Sequence, residues 1–251
     1  MKRITFLMAA LLIFASSCIN TTDQTLKVDI VEYEAQTPLF EDAPYTFSID
    51  MKIEWPVSGP DAESLKDMQK GITGLLFGNE IQTFDIEYAI DVYNRSAVEF
   101  YQLESEEIAQ EIDDDWGFML NWSESMDGNF LPTYAGYISY VKYLYGYSGG
   151  AHGMDAKTAV TFDSKTGKTI TENDLFVPGY EERLTESLRN HLSDCNIEKD
   201  MLFEPEIFPS ENFYLTPEGI TYIYQRYEIG PYAIGIIEVT VPWSEIQDIL
   251  R

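Results

Sequence analysis

Residues 45–55 read Tyr45-Thr46-Phe47-Ser48-Ile49-Asp50-Met51-Lys52-Ile53-Glu54-Trp55. Every odd position is apolar and every even position is polar. Side chains on a strand alternate between its two faces, so this pattern predicts a half-buried strand of an antiparallel sheet. Downstream, Ser58-Gly59-Pro60-Asp61 starts a helix whose stripe is Leu65, Met68, Ile72 and Leu76. A longer helix presents Ile86, Ile90, Tyr93, Ala97 and Tyr101 on one face. Its last turns are acidic, which opposes the helix dipole and predicts fraying near Asp113.

Upstream, Leu26 to Tyr33 reads as a strand. The second half is mostly strand: an alternating Trp116, Phe118, Leu120, Trp122; a Tyr-rich run from Tyr134 to Tyr147; Thr158, Val160, Phe162; then Ile220 to Tyr227 and Ala233 to Val241. Asp163 to Lys168 reads as a hairpin turn with Gly167 left-handed. A helix from about Tyr180 has Leu184, Leu188, Leu192 and Cys195 as its stripe, and Trp243 to Leu250 reads as a short closing helix. Strands and helices come in separate runs, which predicts an α+β fold with a mainly antiparallel sheet and a few packed helices. A soft boundary falls between Gly128 and Thr133, dividing residues 18–130 from residues 131–251.

The chain has 251 residues, 43 Asp and Glu against 16 Lys and Arg, and a net charge of -27. Such a surface repels phosphate backbones, so nucleic acid is excluded as a partner, and basic partners are favoured. Lys2 and Arg3, an apolar run from Ile4 to Phe14, and the small Ala15-Ser16-Ser17 before Cys18 predict a signal peptide over residues 1–17. Small residues directly before a Cys resemble a bacterial lipoprotein cleavage site. That resemblance implies lipidation at Cys18, a membrane partner through the acyl chains, and a place in the bacterial cell envelope. Cys195 is then the only thiol of the mature chain, so no internal disulfide forms.

Several short motifs lack their context. Gly146-Tyr147-Ser148-Gly149-Gly150 fits G-x-S-x-G, but a nucleophile elbow needs a helix directly after it, and a β pattern follows. Ser148, Asp163 and His191 would supply the matching triad order. Gly167-Lys168-Thr169 ends like a phosphate loop, yet Phe162 stands where its first Gly belongs. With two His, one mature Cys and no 12-residue calcium loop, the sequence predicts neither metal nor cofactor. Carboxylate-based glycoside hydrolysis stays open, because its two acids need no fixed spacing.

The unusual segment is Tyr143 to Gly153. Tyr143, Tyr145 and Tyr147 share one strand face, and the segment holds four glycines. Tyr offers a large rigid contact at low entropic cost, and Gly admits positive φ. A turn packed on the protein's own core and a recognition loop both fit.

Five motifs then occur in order over residues 134–251: Tyr147-Ser148-Gly149-Gly150-Ala151-His152-Gly153; Phe162-Asp163 with Thr166-Gly167-Lys168; Asp174-Leu175-Phe176; Phe213 to Gly219; and Tyr227 to Gly235 followed by Val241-Pro242-Trp243. In this order they resemble the RsiV-like domain family. Residues 18–130 are similar to that family's companion region by element pattern alone. The resemblance implies an α+β envelope ectodomain that binds lysozyme-like basic proteins or peptidoglycan without catalysis. Its contact residues would be Tyr147, Ser148, His152, Tyr227, Glu228 and Tyr232, with Gly149, Gly150, Gly230 and Pro231 shaping the loops. A hydrolase of wall glycan or esters, using carboxylates or Ser148, and a structural envelope subunit are the alternatives.

Overall fold

The structure, a computed structural model, describes residues 10–20 and 25–251 except Asn196, Glu198 and Pro205. Its first layer is a six-stranded sheet in chain order: β1 (Ala10–Asn20), β2 (Thr25–Pro38), β3 (Thr46–Ser58), β4 (Trp122–Phe130), β5 (Tyr137–Tyr147) and β6 (Met154–Asp163). The alternating segment is β3, and Phe47, Ile49, Met51, Ile53 and Trp55 are all buried. Burying each such side chain is worth roughly 1.5–3 kcal/mol, so a one-residue slip of register would expose the whole set. Two helices cover this face. Helix α1 (Ala62–Phe77) starts at Asp61, whose carboxylate accepts the Glu63 and Ser64 N–H groups at 2.8 and 2.9 Å. Helix α2 (Ile86–Glu111) ends two residues short of Asp113, with no basic residue in its last turn.

The pair α1–α2 forms a crossover, so β3 and β4 run parallel while every other strand pair is antiparallel. The sheet is therefore mixed but mainly antiparallel, as the α+β reading expects, with β3–β4 its one parallel pair. The Trp116–Leu120 alternation is also not a strand; residues Asp114–Leu120 form 3-10 turns. Trp122 pairs with Phe47 near the start of β3, so the preceding residues run beyond the end of the sheet and have no strand to pair with. Trp116 and Phe118 stay exposed as a result.

The second layer is α3 (Glu172–Leu175), α4 (Glu181–His191) and a three-stranded antiparallel sheet of β7 (Phe213–Leu215), β8 (Gly219–Tyr224) and β9 (Ile237–Pro242). Leu184, Leu188 and Leu192 pack on Leu215, Tyr222, Val239 and Val241 in a core of their own. The closing segment forms 3-10 turns at Trp243–Glu245 and Gln247–Ile249 rather than one helix. Strand β8 ends at Tyr224, and β9 begins only at Ile237, because Tyr232–Ile234 takes a 3-10 turn between Pro231 and a positive-φ Gly235.

Residues 128–130 are the end of β4, paired with β5, and residues 131–133 begin the connection between these two strands. The first core draws on residues from Leu26 to Phe162, and the second on residues from Leu175 to Ile249. Of the expected leader, residues 1–9 lie outside the described residues. Its remainder runs along β2 as β1, with Cys18 opposite Lys27. Among the described residues no helix is long and apolar enough to cross a membrane.

Candidate functional site

The six-stranded sheet has a second face without helices. Register places Glu34, Asp50, Ser125 and Tyr145 in one row across four strands, and Glu32, Lys52, Asp127 and Tyr143 in the next. Tyr143 and Tyr145 are exposed. A trough of about 460 Å³ runs over this face between Glu34, Asp50, Ser125 and Tyr145. Lys52 and Glu32 stand 3.8 Å apart, and otherwise these two rows carry acids, serines and tyrosines.

At one end of this face β5 turns into β6. The Tyr147 hydroxyl donates to the Gly150 carbonyl at 3.0 Å and fastens the turn. Gly149 and Gly150 have φ of +87° and +89°, which glycine adopts without strain. The chain then reaches His152, whose ring stacks on Tyr232 with centroids 4.1 Å apart. The Tyr232 hydroxyl donates to the Gly153 carbonyl at 2.8 Å. The two motif loops, 147–153 and 227–235, thus meet side by side.

An ion pair holds them there. The Arg226 guanidinium hydrogen-bonds both Asp155 oxygens, donates to the Tyr232 carbonyl at 2.6 Å, and lies 4.4 Å over the Tyr232 ring. These hydrogen bonds from Arg226 hold the Asp155 carboxyl below the usual carboxylate range, and the Tyr143 hydroxyl adds another at 3.1 Å. Tyr227 takes a left-handed φ of 65° and sets its ring 5.7 Å from Tyr232. Glu228 accepts the Gln225 N–H at 2.6 Å, which closes the turn.

Two side-chain amides bind the second layer to the edge of β6. Asn212 accepts the Ala159 N–H at 2.9 Å and donates to the Lys157 carbonyl at 2.8 Å. Gln225 accepts the Lys157 N–H at 3.1 Å and donates to the same carbonyl at 2.6 Å. Together they complete the edge as another strand would. The clamp sets Arg226, the next residue, opposite Asp155.

The structure therefore brings His152, Tyr227 and Tyr232 into one aromatic cluster, with Tyr147 and Gly150 bonded to each other in the turn that leads to His152. Ser148 lines a groove of about 420 Å³ with Phe100, Trp122 and Met154, which the ion-paired Asp155 and Arg226 also border. No hydrogen bond joins it to either histidine. His191 sits in the second layer, 2.7 Å from Asp194 and 2.9 Å from Glu245. The strand β6 follows the Gly-rich turn, so the helix of a nucleophile elbow is absent there. Pro231 shapes the 3-10 turn that carries Tyr232, and Glu228 lines a separate cleft beside Phe208. Among the described residues no cluster of His, Cys, Asp and Glu is suited to hold a metal ion.

Arg226, Asp155, Asn212 and Gln225 were not legible as site residues. One signal was available: in so acidic a chain, an Arg directly before Tyr227-Glu228 is conspicuous. A further buried group is Glu124, hydrogen-bonded by the Tyr93 hydroxyl beneath the helices. Burial raises its pKa, and burial lowers that of the nearby Lys142, whose ammonium donates to the Leu76 carbonyl at 2.7 Å.

Residues 173–244 match a family model described as a protein of unknown function, DUF3298. That stretch holds the three later motifs, while the 147–153 loop lies outside it. A search of curated proteins gives no match. Among solved structures, a DUF3298 family member from Bacteroides fragilis superposes with a TM-score of 0.80 at 24% identity, covering 90% of this chain and 94% of that one. A DUF3298 family protein from Pseudomonas aeruginosa superposes with a TM-score of 0.65 at 16% identity, covering 91% and 96%. At these identities the likeness is one of fold: the chain shares its two-layer architecture with DUF3298 proteins and carries the family's sequence pattern over residues 173–244.

Proposed function

We propose that this protein is a non-catalytic binding protein of the bacterial cell envelope, anchored by lipid at Cys18, whose ligand is a lysozyme-like basic protein. The observation that carries the reading is the convergence of the two motif loops, with His152 stacked on Tyr232 beside an open acidic face that displays Tyr143 and Tyr145. Rigid aromatic groups supply contact area, and a carboxylate-rich surface of opposite charge speeds encounter with a basic partner. The net charge of -27, from which loss of the leader would remove Lys2 and Arg3 as well, favours the same partner. The resemblance to RsiV-like domains supports the ligand class. Among the described residues the histidine side chains hydrogen-bond Gly153, Asp194 and Glu245 and not Ser148, which favours binding over ester hydrolysis. Removal of residues 1–17 would strip most of β1 from the edge of β2, leaving Cys18 a short tether from the sheet.

Calorimetric titration of the lipid-free mature domain with a C-type lysozyme at physiological salt tests this. An unrelated protein of equal basic charge is the comparison, because charge alone gives weak, salt-sensitive attraction. The expected result is binding to lysozyme alone, weakened at least about tenfold by Tyr232→Ala, a loss typical of a central aromatic contact. Equal binding of both basic proteins would overturn the reading.

A further inference from the structure

A second concave surface lies in the other layer, away from the His152 stack. The segment from Met201 to Ser210 runs past the end of β8 and leaves Phe203 and Phe208 56% and 60% exposed. Both are fixed through the backbone. The Phe203 N–H donates to the Ile229 carbonyl at 3.0 Å, and the Tyr224 hydroxyl donates to the Phe208 carbonyl at 2.5 Å. Between these walls is a cleft of about 580 Å³, lined by Phe203, Phe208 and Tyr224 with Glu204, Glu206 and Glu228, and none of its lining residues is basic.

Two exposed rings that wall one concave surface offer a place for a ligand, and an aromatic face attracts a cation through its quadrupole. Carboxylates around such rings add charge attraction and reject anions. The protein already shows the preference: the Arg189 guanidinium lies 5.0 Å from the centre of the Phe208 ring while hydrogen-bonding Glu206 at 3.0 Å. An apolar wall with acids at its rim also matches the two parts of a long basic side chain, an aliphatic stem and a charged head.

We infer that this cleft binds the guanidinium or ammonium head of an Arg or Lys side chain presented by a basic polypeptide. The site goes beyond the loop pair and stands independently of it, although the Gln225–Pro231 turn contributes Tyr227 to one and Glu228 to the other.

The test is an NMR titration of the intact lipid-free domain with N-acetyl-arginine methylamide. N-acetyl-citrulline methylamide has the same shape without the charge. The arginine probe should bind with a Kd of about 1 mM, a modest affinity for a ligand of that size. Its shifts should centre on Phe203, Phe208 and Tyr224, and citrulline should bind at least tenfold more weakly. Glu204→Gln and Phe203→Leu should each weaken the arginine probe about threefold or more, with an otherwise unchanged spectrum confirming the fold. Asp50→Asn, on the open sheet face, should leave it unaltered. Equal binding of the two probes, shifts confined to the sheet face, or indifference to both cleft variants would overturn the inference. Arginine binding without lysozyme binding would sink the loop-pair reading alone, and the reverse result would sink this one alone.

Discussion

At the scale of single residues, two positions show how local geometry translates into measurable effects. Gly167 has a φ of 68°, and a Cβ there would stand 1.9 Å from the Ser64 carbonyl oxygen of α1. Backbone cannot move aside as a flexible side chain does. Gly167→Ala should therefore cost about 2–4 kcal/mol, combining left-handed strain with displacement of the helix start. Gly150 has a φ of 89° with nothing within 4 Å, so Gly150→Ala should cost only the strain, about 1 kcal/mol. Urea denaturation of both variants checks the contrast, and equal losses would contradict it. His191 provides a pH test. Burial opposes its charge, but hydrogen bonds to Asp194 and Glu245 outweigh that effect and leave its pKa raised. A raised folded pKa adds stability that is complete below the unfolded value of about 6.5 and is lost as pH rises through the folded one. His191→Gln should thus lose a few tenths to about 1 kcal/mol at pH 5.5 and little at pH 9, where the imidazole is neutral in both states. A deficit that grows with pH would refute the assignment.

At the scale of elements, the decisive contact is the amide clamp on β6. Lys157 and Ala159 sit on the outer edge of the six-stranded sheet, and their N–H groups find acceptors only on the Gln225 and Asn212 side chains. Truncating one clamp residue leaves backbone groups of β6 without their partner, at about 1–3 kcal/mol. Gln225→Ala should speed hydrogen exchange at Lys157 while leaving the β4–β5 ladder protected. It should also loosen Arg226 and so weaken the His152–Tyr232 stack. Unchanged exchange at Lys157 would show that another group covers the edge. Ser139 on β5 makes the same kind of link deeper in: its hydroxyl contacts Thr161 at 2.8 Å and accepts the Leu215 N–H of β7 at 2.9 Å. These polar links explain why β7 lies against β5 and β6.

At the scale of the whole molecule, two hydrophobic cores share one edge. The clamp and the Ser139 contact cross between the layers, and Tyr134, from the β4–β5 connection, stacks on Trp243 of the second core at 4.5 Å. Separating the layers would strand each of these groups. Unfolding should therefore be a single transition, with far-ultraviolet circular dichroism and tryptophan fluorescence giving one midpoint. Two resolved midpoints would mean that the layers are independent. The charge of -27 acts on the molecule as a whole, since like charges repel most in the compact state. Raising sodium chloride from about 20 mM to about 500 mM screens that repulsion and should raise Tm by several degrees. A fall in Tm over that range would place more weight on surface ion pairs than the net charge allows.

The sequence carried the α+β class, because class depends on local periodicity. The alternation of residues 45–55 became β3 with its odd positions buried, and the stripes at Met68, Ile72, Leu76 and at Leu184, Leu188 became the faces of α1 and α4. The left-handed Gly167 was legible for the same reason, as turn chemistry is local. The parallel pairing of β3 with β4 was not, since a pattern of period two marks a strand without naming its neighbour. The Trp116–Leu120 pattern misled on that account: alternation creates a strand only where a partner edge is free. The motif glycines and tyrosines were visible as a cluster along the chain. Tertiary structure alone set His152 on Tyr232, placed Ser148 in a groove bordered by Asp155 and Arg226, and supplied Arg226, Asp155, Asn212 and Gln225, which lie up to 71 residues apart in their pairings. Contacts at that range are fixed by how the two cores pack, and no local window of residues contains them.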